Sequence, residues 1–356
     1  MKFRKKVLLA GLTVLLLLIT TVSTTFAWFS LNDAAWMDDF DLEIQSDDQL
    51  LIKTLTGNYK QSLTNDDVVE AYNWNKESYE HISKLSEISL SSVHSSNGGD
   101  FYKLQPTYDD MNKQTIQLVK ADSKSYLNFT LRFGINSDDA EDSVHPNYNL
   151  KFSQNEEAGG IKKTSFTSSN QTIKLVNRLV TQEEVIVSGY EVVVNPVNAL
   201  RLSVSSDMEK YENSTYTIYD LSDKNDLGSY AFDERTLGYA VGSENADKKY
   251  CSSMNAAFTY YNSIHNDILK PLGYYESNDD MDKNVDLVKN LINKIQYNFD
   301  KPIGEFEYDS ETKSYNEVTL KFSLWLEGYD ADNLIGLDTS KIKCLLSFTL
   351  EEEVDI

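Results

Sequence analysis

The chain has 356 residues, with 56 acidic against 33 basic for a formal net charge of −23, and it holds 2 cysteines, 4 histidines and 5 prolines. A charge of that sign repels polyphosphates and anionic membrane surfaces, which excludes nucleic-acid binding, and so few thiols and imidazoles exclude a disulfide scaffold or a four-thiolate zinc site. The hydrophobic content of 40% and aromatic content of 12% are those of a folded chain with a sizeable core.

At the N-terminus Lys2, Arg4, Lys5 and Lys6 precede an apolar run from Val7 to Val22, and small residues follow from Ser23 to Ala27. That order predicts a secretory signal over residues 1–27, cut between Ala27 and Trp28, with Thr25 and Ala27 at the positions where the peptidase accepts small side chains. The run is shorter than the roughly 20 residues that cross a bilayer, so removal is expected, with an uncleaved N-terminal anchor helix as the alternative. Taking four basic residues from 33 leaves 29 against 56 acidic ones, a mature charge of −27. No Cys suited to lipidation follows the run and no apolar tail closes the chain, so a membrane is expected to be met only through the N-terminus.

Beyond the signal, period-2 alternation recurs and predicts strands with one face on a core. Phe40, Leu42 and Ile44 form the first short example. Leu127, Phe129, Leu131 and Phe133 share a face opposite Asn128, Thr130 and Arg132. Leu200, Leu202 and Val204 alternate in the same way, and β-rich runs stand at 115–119, 149–152, 185–187 and 191–194. Near the C-terminus Val318, Leu320, Phe322, Leu324 and Leu326 oppose Thr319, Lys321, Ser323 and Trp325; Ile342, Cys344, Leu346, Phe348 and Leu350 oppose Lys341, Lys343, Ser347 and Thr349. Strands joined by polar loops, with no helix between successive ones, predict a mainly β protein, an antiparallel, jelly-roll-like β-sandwich.

One stretch departs from this pattern. Met281, Val285, Val288, Leu291, Ile292 and Ile295 fall at helical spacing over about Asp280 to Tyr297, and a second helix is expected over Tyr250 to Leu269, stopped by Pro271 and Gly273. The expected organisation is therefore a sandwich begun by residues 28–229, a helical insertion over 230–300, and closing strands over 301–356.

Directly after the apolar run stand Thr25-Phe26-Ala27-Trp28-Phe29-Ser30, then Asn32 and Asp33, then the strand Phe40-Asp41-Leu42-Glu43-Ile44. This segment resembles the N-terminus of the TasA and camelysin family of Gram-positive bacteria. The block Leu324-Trp325-Leu326-Glu327-Gly328-Tyr329-Asp330-Ala331-Asp332, with Leu346-Ser347-Phe348 after it, is similar to the closing hairpin of Firmicutes surface proteins with that type of signal. Where those often carry a Cys after the second acid, this chain has Asn333. The resemblance implies a secreted surface or biofilm-matrix protein that polymerises by donating its N-terminal strand, here Phe40, Leu42 and Ile44, to the next subunit. Read from the residues alone, an unpaired edge in a neighbouring sandwich could take that strand, but the plainer expectation is that it pairs within its own sheet.

Camelysin relatives are described as metalloendopeptidases, but no His-Glu-x-x-His occurs and His81, His94, His145 and His265 lie in separate segments. No phosphate loop or nucleophile elbow is present either, so no enzyme and no cofactor are expected. Glu327, Asp330 and Asp332 offer hard oxygen ligands for Ca²⁺, against the plainer expectation of solvated loop acids. Cys251 and Cys344 are an even pair in an exported chain, open to a disulfide or to burial as thiols. The leading expectation is an exported, non-enzymatic surface or matrix protein whose partner is a second copy of itself. The alternative is a membrane-anchored carbohydrate-binding or adhesin module that meets a cell-surface glycan through exposed aromatics such as Trp325; an extracellular hydrolase ranks third.

Overall fold

The computed structural model describes residues 41–46, 49–74, 76–95, 97–108, 114–135, 145–154, 162–174, 178–179, 185–186, 191–206, 216–221, 237–239, 249–251, 295–296, 299–328, 330, 332–334, 337 and 342–353. The strands, in chain order, begin with β1 (Asp41–Ser46), β2 (Leu50–Lys53), β3 (Ser62–Leu63), β4 (Ser92–Val93), β5 (Tyr102–Tyr108), β6 (Gln114–Lys120), β7 (Leu127–Ile135), β8 (Tyr148–Phe152) and β9 (Ser165–Thr167). They continue with β10 (Gln171–Lys174), β11 (Arg178–Leu179), β12 (Val185–Ile186), β13 (Glu191–Val194), β14 (Leu200–Ser205), β15 (Thr217–Asp220), β16 (Leu237–Tyr239) and β17 (Lys249–Cys251). The last are β18 (Ile295–Gln296), β19 (Gly304–Phe306), β20 (Tyr308–Asp309), β21 (Ser314–Tyr315), β22 (Val318–Glu327) and β23 (Lys343–Glu352).

Two sheets carry the core. The first is ordered β19-β8-β23-β1-β3 with β9 also on β23, and the second β18-β15-β14-β22-β7-β2 with β4 on β22. Their apolar faces meet in one cluster: the ring of Phe348 lies 4.9 Å from Phe133 and 5.8 Å from Phe322, and Phe152 meets Tyr219 at 5.5 Å. Every inward residue expected on β7 and β22 is buried, as are Ile342, Cys344, Leu346 and Phe348 leading into and along β23. Each sheet holds strands from both ends of the chain, β23 between β8 and β1 in the first and β22 between β14 and β7 in the second, so residues before 230 and after 300 build the same core.

The pairing is mainly antiparallel but not wholly so. β1 runs parallel to β23, β4 to β22 and β18 to β15. None of these strands neighbours its partner in sequence, and only a hairpin forces two strands to oppose.

A nine-residue helix, Asn65–Asn73, is a feature that strand periodicity passes over. Thr64 caps it: its Oγ1 accepts from the Asp67 amide, and the Asp67 carboxylate accepts from the Thr64 amide at 2.8 Å. Burial pushes the Asp67 pKa up, but the bonds from Lys60 and Thr64 outweigh that and hold it below the usual carboxylate value. Val68, Ala71 and Tyr72 turn into the core, which makes this short helix part of the sandwich.

The expected helical insertion needs correction at both ends. Tyr250 and Cys251 belong to a strand paired with β16, and Ile295 and Gln296 form β18 beside Ile218 and Tyr219, so helix spans neither pair. Residues 252–294, where the rest of both helices was expected, lie outside the described residues. The signal segment, with Ala27 and Trp28, lies outside them too. Among the described residues no helix is long and apolar enough to cross a membrane.

Candidate functional site

Two places gather the side chains that carry chemistry: the seat of the N-terminal strand in the first sheet and the outward face of the second. β1 lies against β23 over its full length, Asp41 opposite Lys343 through Ser46 opposite Phe348. Its other edge meets β3 only at Ile44 and Gln45. Alternation sends Leu42 and Ile44 into the shared core, and Leu42 stands in register with the equally buried Cys344. Within one chain, the strand therefore pairs in its own sheet. Phe40, the third residue expected in the strand, lies outside the described residues.

On the outward face of the second sheet, Trp325 was expected to be exposed on the polar side of its strand. It is 0% exposed. Val93, Phe101, Ala121 and Ile218 cluster with it, and Phe101 is stacked on Tyr126 at 3.9 Å and set edge-on to Trp325 at 5.3 Å. Alternation assigns Trp325 to the face away from the core, but the chain from β4 to β7 folds back over that face and makes a second, smaller core. Trp325 therefore offers no platform to a glycan; the large exposed aromatics among the described residues are Trp74 and Tyr79.

The acids at the end of β22 are likewise buried. Glu327, Asp330 and Asp332 are between 0% and 6% exposed, which overturns their expectation as solvated loop acids. Arg201 reaches Asp330 at 2.7 Å and Asp220 at 3.1 Å. Burial disfavours the charge on Arg201, but Asp220, Asp330 and Glu327 around it more than compensate and raise its pKa above the usual value. The Glu327 carboxylate lies 2.9 Å from His94 Nδ1 and accepts from Trp325 Nε1 at 3.2 Å. Asn333 Nδ2 donates to the Glu327 carbonyl at 2.9 Å, and Asn198 Nδ2 donates to Asp332 at 2.7 Å.

These acid side chains thus face an arginine, an imidazole, an indole and the Asn198 amide, while the Asn333 amide bonds the Glu327 main chain. Their arrangement ties the end of β22 to β4, β14 and β15. Among the described residues no group of three or more His, Cys, Asp or Glu side chains is placed to hold a metal ion. Sequence reasoning found the acids but missed Arg201, His94 and Asn198, which lie more than 120 residues away from them in the chain. The one local signal was an arginine inside an alternating run, at the position between Leu200 and Leu202.

Gly98 closes the loop that covers this face. Its φ of +75° suits glycine, and a Cβ there would stand 2.7 Å from that of Ser203, whose hydroxyl donates to the Gly98 carbonyl at 2.6 Å. Cys344 is buried in the core, whereas a bridge to it rests on the Cys251 side chain, which lies outside the described residues.

Comparison with family models, with curated proteins and with solved structures returned no match.

Proposed function

We propose that this is an exported, non-enzymatic surface or matrix protein of the TasA and camelysin type, with a jelly-roll sandwich, that assembles by exchanging its N-terminal strand between copies. The observation that carries this is the seat of β1. The strand begins the described chain, lies parallel to β23, has no hairpin to its neighbour, and is flanked on its other edge over a short stretch, by β3 at Ile44 and Gln45 and by Gln61 at Ser46. The identical strand of a second copy would make the same ladder and bury the same Leu42 and Ile44. The repeated passage of the chain between the two sheets, from β1 to β2, back to β3 and finally from β22 to β23, supports a jelly-roll topology. The basic and apolar N-terminus supports export.

The register supplies a direct test. Leu42 pairs with Cys344 on the inward face, so Leu42→Cys in a Cys251→Ser background places two thiols across the β1–β23 junction. Exchange predicts that the concentrated, oxidised protein runs as a ladder of covalent multimers on a non-reducing gel. A monomer band alone at every concentration, with the internal cross-link formed, would overturn the assembly.

A further inference from the structure

We propose that residues 162–164 form a latch that holds the N-terminal strand in its own sheet and sets how readily it is released; its role in assembly rests on the exchange reading above. The latch begins where β8 ends. Ser153 donates its amide to the Ser347 carbonyl at 2.7 Å, and the chain is again beside it at Thr164, whose amide donates to the Ser153 carbonyl at 2.8 Å. At the return point Thr164 uses its side chain as a strand would use its backbone: Oγ1 donates to the Ser347 carbonyl at 2.8 Å and accepts from the Ser347 amide at 3.0 Å.

From there the contacts pass to β1. Gln45 Nε2 donates to Ser347 Oγ at 2.6 Å and to the Lys162 carbonyl at 3.3 Å, and the Lys162 ammonium stands 3.5 Å from the Glu43 carboxylate. Gln45 and Glu43 lie on the outward face of β1, opposite Leu42 and Ile44. The strand is therefore held in three ways: by its ladder to β23, by two side chains in the core, and by these side-chain bonds across its outward face. The identical strand of a second copy, entering the same seat, would make all three kinds of contact, so the latch sets how readily a strand leaves the seat and not which copy's strand occupies it. Ser347 and Thr164 are buried, which gives their bonds weight, while the Lys162–Glu43 pair is exposed and screened by salt.

Native-state hydrogen exchange on the monomer, resolved by residue, reads the latch directly. Gln45→Ala is expected to speed exchange of the β1 amides about fivefold to tenfold, the loss of a typical hydrogen-bond contribution, while β7 amides keep their rate. Lys162→Glu, a surface change that leaves the core intact, is expected to act in the same direction by a smaller factor that shrinks as salt is added. Thr164→Val should exceed both if it folds. Wild-type rates at β1 in Gln45→Ala and Lys162→Glu, or equal acceleration of β1 and β7, would overturn the latch. Selective loosening of β1, in a protein whose Leu42→Cys form yields no covalent multimers, would uphold the latch and refute exchange.

Discussion

Strands β22 and β23 are each ten residues long, and each turns an apolar face to the common core. Their other faces have opposite fates. Behind β22, Ser323, Trp325 and Glu327 are buried under the chain between β4 and β7, with Arg201 and Asp220 beside them. Behind β23, Lys343 and Glu351 are exposed, and only Ser347, beneath the Thr164 return, is closed off. Alternation identifies the face that meets the core. It is silent on whether a loop from elsewhere covers the reverse.

The contrast is sharpest where covered charge is removed. Arg201→Ala leaves Asp220 and Asp330 buried without their cation and is expected to lower unfolding stability by about 3–5 kcal/mol, read by urea denaturation. Trp325→Ala, which empties the smaller core, is expected to fall in the same range of about 3–5 kcal/mol. A loss below about 1 kcal/mol for either would mean that this face is open in solution.

Gly98→Ala asks whether the covering loop is closely seated. The new Cβ meets Ser203 at 2.7 Å in a left-handed backbone, and a loss of about 1–3 kcal/mol is expected. Thermal melts of this variant beside Gly98→Asn, which tolerates positive φ better but is bulkier, would separate backbone strain from steric contact.

The helix cap supplies a pH test. Because the folded Asp67 pKa lies below its unfolded value, its contribution is complete above the ordinary carboxylate pKa and is lost as pH falls through the folded one. Asp67→Asn is therefore expected to be less stable than wild type by about 1 kcal/mol at pH 6, with the gap closing as the pH falls below the ordinary carboxylate range in denaturation series. The smallest effect belongs to the open face of the first sheet. Lys151→Ala removes the pair with Glu351 at a solvated site and should shift stability by less than about 0.5 kcal/mol; a much larger loss would show that this face is covered as well.

Much of the fold was legible because burial on one face imposes a two-residue period: β7, β14, β22 and β23 all lie where alternation placed them. The helix Asn65–Asn73 carried a readable signal in Thr64 and Asp67, the two ends of a capping box, but its nine residues make too short a run for periodicity to stand out. The acidic segment after β22 was found by composition and misread in environment. Its partners Arg201 and His94 come from β14 and from the chain just after β4, and local sequence holds no record of which distant cation will face an acid.

By itself, the sequence determined the class of the protein. Local patterns act through local physics: alternation makes strands, and the excess of acids repels polyanions. Only the tertiary structure decided which strands would be neighbours, that the first would lie parallel to the last, and that Trp325 and three acids would be buried. Those outcomes depend on contacts between residues more than a hundred positions apart. They are selected by the joint packing of both sheets, where a charge is accepted in the interior only once its partner has arrived.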